Sequence, residues 1–230
     1  MRVLRTLLFC GMCCVWAQAG SVTFSTPSGS SINGLPVDAK AVFSISKGVI
    51  DITLINLQAN PTSVAQLLSD LSFTLGGGGS LSGASLGSSM GQEITVGSNG
   101  SFTLGSTVST GWGFNATTAT LDVLGTSTAP MHLIIGPPGP GSMYSNANGS
   151  IAGNKPHNPF LNGGAMFMII GSGITAGTTI TSATFSFGTT SGMNVTGTPS
   201  VPEPSTQLLL GLGTLGLMAL ATATRKLISI

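Results

Sequence analysis

Few residue groupings in this chain could carry covalent or redox chemistry. Gly83-Ala84-Ser85-Leu86-Gly87 fits the G-x-S-x-G pattern of serine hydrolases, whose serine sits on a strand-to-helix elbow and works with a histidine and an acid. Here the pattern falls inside a Gly/Ser-rich run, 76–91, with no α/β periodicity around it. Such a run is expected as a flexible loop, and no catalytic role is assigned to Ser85. Gly171-Ser172-Gly173-Ile174-Thr175-Ala176 imitates a dinucleotide-binding turn, yet Thr178, Thr179 and Ile180 follow where a phosphate-holding helix should begin. A plain turn is expected. His132 alternates with apolar neighbours like a sheet residue, and His157 lies in a proline-rich loop. With two histidines and scattered carboxylates, no ligand spacing points to a metal or a cofactor.

The chain has 230 residues, 34 of them glycine, and only 7 Lys+Arg and 6 Asp+Glu. Charged residues make up 6%, against about 25% in ordinary globular chains, so neither a basic nucleic-acid surface nor a charged disordered tail is available. The distribution of charge is more telling than the total. Arg2 and Arg5 stand at the start, and Arg225 and Lys226 near the end. Between them Lys40, Lys47 and Lys155 face Asp38, Asp51, Asp70, Glu93 and Asp122, a net charge of −2. Basic residues beside uncharged apolar runs at both ends suggest two membrane-directed segments with an interior that lies outside the cytoplasm.

At the N-terminus the basic residues are followed by an uncharged run to Trp16 and then Ala17-Gln18-Ala19. That order of basic, apolar and A-x-A parts is a secretory signal, read by the export translocon and by signal peptidase at Ala17 and Ala19, with Gly20 as the first residue after the cut. Its apolar stretch is shorter than a bilayer span. Cys10, Cys13 and Cys14 all fall in this segment, so the mature protein contains no cysteine and must be held by packing.

At the C-terminus, 205–224 is free of charge and carries seven leucines, 20 residues that as a helix reach about 30 Å, the thickness of the hydrocarbon layer. Each leucine contributes roughly −0.5 kcal/mol to insertion. Gly211, Gly213 and Gly216 spell G-x-G-x-x-G within this run, but without a preceding strand they imply no nucleotide. Before the run stand Val201-Pro202-Glu203-Pro204, whose prolines keep the chain extended. An extended peptide at the membrane face is the form a processing enzyme needs.

Pro202-Glu203-Pro204, the leucine and glycine rich run and Arg225-Lys226 together resemble the PEP-CTERM sorting signal of Gram-negative bacteria. The resemblance covers 201–230. It implies recognition by an exosortase, a membrane-embedded processing enzyme that cuts near the motif, a brief stay in the inner membrane, and delivery to the cell surface or the extracellular space. It also implies an association with extracellular polysaccharide. An ordinary single-span anchor behind a proline-containing linker is the alternative, and it too leaves the interior outside.

The elements left between the two signals, 20–200, form one exported domain. Ala41, Phe43 and Ile45 alternate with polar or smaller neighbours, as do Ile50, Ile52 and Leu54 across Lys47-Gly48, which predicts a β-hairpin with one apolar face. Strands are expected near 71–75, 93–96, 101–104, 118–124, 131–135, 165–170 and 179–187. One short amphipathic helix is expected behind a Thr62 or Ser63 cap, with Val64, Leu67, Leu68 and Leu71 as its stripe and Asp70 solvated on another face. Trp112 and Phe114 are expected to share a core face. The fold class is mainly β, an antiparallel β-sandwich-like ectodomain flanked by an N-terminal signal helix and a C-terminal transmembrane helix.

The phrases Ser72-Phe73-Thr74-Leu75-Gly76, Ser101-Phe102-Thr103-Leu104-Gly105 and Thr184-Phe185-Ser186-Phe187-Gly188 recur at unequal spacing, so they read as strand endings and not as a solenoid repeat. The proline and asparagine rich segment 136–164 is expected to be irregular, and long irregular segments are functional or disordered. Tyr144, Lys155 and His157 are its candidates for ligand contact. The sequence thus predicts an exported, non-enzymatic surface or matrix protein. A carbohydrate or surface-ligand module using the 136–164 loop is the alternative, and a secreted hydrolase the third reading.

Overall fold

The computed structural model describes residues 20–125, 131–155, 157–190 and 192–200. The segments 1–19 and 201–230, with the signal helix and transmembrane helix expected there, lie outside these residues. No helix among the described residues is long and apolar enough to cross a membrane.

Alternation of residue type becomes alternation of burial in the first strands. Strand β1 (Gly20–Ser25) is followed by a two-stranded ribbon of β2 (Ser31–Ile32) and β3 (Leu35–Pro36), then by β4 (Ala39–Ser46) and β5 (Val49–Asn56). On β4, Ala39, Ala41, Phe43 and Ile45 are buried; on β5, Ile50, Ile52 and Leu54 are buried opposite them. The pair is in antiparallel register, Phe43 against Ile52, as the hairpin pattern predicts.

The chain continues with β6 (Leu68–Gly76), β7 (Ser85–Val96), β8 (Phe102–Ser109), β9 (Gly113–Asn115), β10 (Thr120–Asp122) and β11 (Ile134–Ile135). A single helical turn, α1 (Ala147–Ser150), precedes β12 (Phe160–Ile170), β13 (Thr179–Phe187), β14 (Asn194–Thr196) and β15 (Thr198–Ser200). Among the described residues thirteen of these strands join one sheet, with a main path β14-β13-β6-β11-β12-β5-β4-β1-β15. The pairings are antiparallel except that of β11 with β12. The path starts and ends on consecutive strands: β14 pairs with β13, β15 pairs with β1, and Gly197 alone separates them. The segment 194–200 thus ties the two ends of the sheet path together. Across the interior Phe43 of β4 meets Phe73 of β6, ring centroids 5.4 Å apart, and Phe24 of β1 meets Phe43 edge-on at 6.0 Å.

Two expectations change. The amphipathic helix near residue 64 is a three-residue 3-10 turn, Val64–Gln66, after which the chain is extended. Ser63 does cap it, with the reciprocal Gln66 contact of a capping box. The Gln66 side chain also donates to the Pro36 carbonyl (2.8 Å), fixing the turn to the ribbon. Leu68 then pairs with Ile134 on one side and Phe187 on the other, so tertiary ladders win over helix propensity. Leu68 and Leu71 are both buried although three apart, because the β6–β13 register slips by one residue at Ser69. A bulge therefore imitates a helical spacing.

The Gly/Ser-rich run is also more ordered than expected, since β7 begins at Ser85 and runs along β12. Its glycines make room for large neighbours. A Cβ on Gly91 would lie 3.0 Å from a Leu161 methyl, and one on Gly87 would lie 3.0 Å from the Met168 methyl. Of the three recurring phrases, Gly76 closes β6 and Gly188 follows β13, while Gly105 lies inside β8.

Candidate functional site

Three places on the body bear on function: the irregular segment, a polar cleft and the last described strand, β15. The segment 136–164 is folded against the sheet by backbone and amide contacts. Tyr144 donates its N–H to the Gly100 carbonyl (2.9 Å) and its hydroxyl to the Gly136 carbonyl (3.0 Å). Only glycine fits at 100, where φ is +84° and a Cβ would run into the Tyr144 backbone. Asn158 stands in for a strand partner at the end of β7. Its carbonyl oxygen accepts from Val96 N–H (3.2 Å), and its amide donates to the carbonyls of Val96 (2.9 Å) and Ala152 (2.8 Å).

This packing places the candidate ligand residues of the segment. Tyr144 is buried, and burial pushes its hydroxyl up to about 12. His157 is buried, with Nδ1 donating to the Met131 carbonyl (2.6 Å). Lys155 alone of the three faces solvent. His132 is buried just before β11; its Nδ1 donates to the Pro159 carbonyl (2.6 Å), and its Nε2 lies 3.5 Å from Glu93. Trp112 is buried against Phe167 and donates to the His132 carbonyl (2.7 Å), whereas Phe114 is half-buried and stacks on Phe73. Ser85 of the G-x-S-x-G pattern starts β7 opposite Ile170, and 171–178 forms turns between β12 and β13.

The polar cleft, about 550 Å³, lies over β10, β6, β13 and β14. One register row crosses it: Asp122 opposes Asp70, Asp70 opposes Ser186, and Ser186 opposes Asn194. The Ser186 hydroxyl donates to Asn194 Oδ1 (2.7 Å). Asp122 accepts the N–H groups of Leu124 (2.6 Å) and Gly125 (2.7 Å). Burial, and then the facing Asp122 charge, push Asp70 up to about 7 against a smaller downward pull from Ser186. Asp70 is therefore not simply solvated. Sequence reasoning missed this row because Asp70 and Asp122 are 52 residues apart and only strand pairing opposes them.

In β15, Thr198 to Ser200 pair with Ser25 to Thr23 of β1. Gly197 donates to the Ala183 carbonyl (2.8 Å), and a Cβ there would lie 2.9 Å from the Phe185 ring. The body thus ends on a paired strand beside its own first strand. The residues assigned from sequence to the two processing signals, Ala17 and Ala19 at one end and Val201 to Pro204, Arg225 and Lys226 at the other, flank it outside the described residues.

No curated protein and no solved structure matches this chain. Among protein-family models, the one describing the PEP-CTERM protein-sorting motif matches residues 200–226, which include Pro202-Glu203-Pro204, the leucine-rich run and Arg225-Lys226. Residues 200–226 are a PEP-CTERM protein-sorting motif.

Proposed function

We propose that this is an exported surface protein, sorted through its C-terminal motif by an exosortase and acting at the surface without catalysis. The match of residues 200–226 to the sorting motif carries this reading. The placement of β15 supports it. β15 ends at Ser200, where the motif begins, and pairs with β1, which begins at the residue following Ala19. Four residues separate Ser200 from the expected membrane span at 205, at most about 14 Å of extended chain. The uncut precursor would then hold its β body close to the membrane face, with the Pro-Glu-Pro segment between body and bilayer. The non-catalytic part of the reading is supported by the placement of Ser85 at the head of a strand and by the burial of His132 and His157 against backbone carbonyls.

Replacing Pro202-Glu203-Pro204 by three alanines in the native host tests the sorting role. The variant is expected to accumulate uncut in the inner-membrane fraction, larger than the wild-type product. Processing and surface delivery unchanged from wild type would contradict it.

A further inference from the structure

We propose that the gap between the start of β1 and the start of β13 is the seat of Val201, so that the body holds the residue directly before Pro202-Glu203-Pro204. The gap, about 220 Å³, is lined by Ser21, Val22, Ile45, Thr178, Thr179 and Ile180. It is smaller than the roughly 300–1,000 Å³ of small-molecule pockets. Two strand edges border it, and neither is used there. Among the described residues Gly20 to Val22 pair with β4 alone, and Thr179 and Ile180 pair with β6 alone. β15 covers the same edge of β1 only from Ser25 to Thr23. The gap therefore begins where β15 stops.

The reach of the chain decides the occupant. Ser200 stands opposite Thr23, and Val201 follows it by one peptide, about 3.8 Å between Cα atoms. One further step of the same antiparallel register sets Val201 against Val22, and a second sets Pro202 against Ser21. Directly opposed residues of a strand pair put their side chains on one face. The face of Val22 is that of the buried Phe24, two residues on, and in the gap it meets the buried Ile45 and Ile180. A valine side chain seated there touches three aliphatic ones. None of the lining residues is charged, so nothing in the gap receives Glu203. The ladder stops at Pro202, which has no N–H for the next rung. The role of the contact, to fix where the segment cut by the exosortase begins relative to the body, rests on the sorting reading; the contact itself does not.

The test of the contact is the Tm of the full-length chain in detergent. Val201→Asp is expected to lower it by roughly 3–6 °C and Val201→Ala by less, while Glu203→Gln leaves it unchanged. Val22→Ala and Val201→Ala combined should cost less than the sum of their separate losses, because each removes the same contact. A Tm untouched by Val201→Asp, or losses that simply add, would overturn the proposal. So would a Val201→Asp loss that varies with protein concentration, the mark of a second copy in the gap. The role is read separately in the native host from Val22→Ala, which leaves every residue of the motif intact and is expected to be cut more slowly than wild type. Cutting of Val22→Ala at the wild-type rate, with the triple-alanine variant still uncut, would overturn the role and leave the sorting reading standing; wild-type cutting of the triple-alanine variant would overturn both.

Discussion

The β4–β5 hairpin and the β10-β6-β13-β14 row are built from the same strand geometry but put opposite chemistry at their register positions. In the hairpin each inward position is filled by a side chain that packs, Phe43 against Ile52 and Ala41 against Leu54, and burial is complete. In the row the register sets carboxylate against carboxylate and hydroxyl against amide oxygen. The first arrangement is explained by stability alone. The second is not, since it holds Asp70 near neutrality against its own acidity. The contrast separates the part of the body that exists to fold from the part that packing does not account for.

Three substitutions sharpen that contrast. The largest effect is expected from Phe43→Ala, which removes a fully buried ring that touches Phe24 and Phe73. It should cost about 3–5 kcal/mol, read as a lower denaturation midpoint, and do so equally at pH 5 and pH 8. Asp70→Asn should act in the opposite sense and only at high pH. Because the folded-state value of Asp70, about 7, is above its ordinary 3.8, its protonation stabilises the fold fully below about pH 4, and that stability is lost as pH rises to about 7. The asparagine variant should therefore be the more stable form at pH 8, by about 2 kcal/mol after allowance for solvent screening of a partly open cleft. The two proteins should converge at pH 4. A wild-type stability curve with the same pH slope as the variant would remove the distinction between the regions. The smallest effect belongs to Lys155→Ala, within about 0.5 kcal/mol in thermal melts, since that side chain faces solvent.

Much of the body was legible where local pattern and final burial agree. Ala41, Phe43 and Ile45, and Ile50, Ile52 and Leu54, declare a strand pair because one apolar face with a period of two has only one economical partner. The pattern misleads where a neighbour supplies what the segment lacks. Leu68 and Leu71 look helical because a bulge at Ser69 changes the strand period. The run from Ser85 to Gly91 looks like a loop because its core-facing positions hold Ser89 and Gly91, small residues that give space to β12. In 136–164 the order comes from single amides and hydroxyls meeting distant backbone, as Asn158 meets Val96, and no periodicity announces such contacts.

The sites divide in the same way. The sorting motif is linear, so its prolines, leucines and terminal basic pair could be read in order from the chain. The acidic row is not linear, and Asp70 looked like an ordinary surface charge until β10 was paired with β6.

The most direct measurement is the intact mass and terminal peptide map of the protein recovered from the surface fraction of its native host. The account predicts a chain that begins at Gly20 and ends near the Pro202-Glu203-Pro204 segment, with the leucine-rich run removed. A surface form that still carries both 1–19 and 205–230 would contradict it.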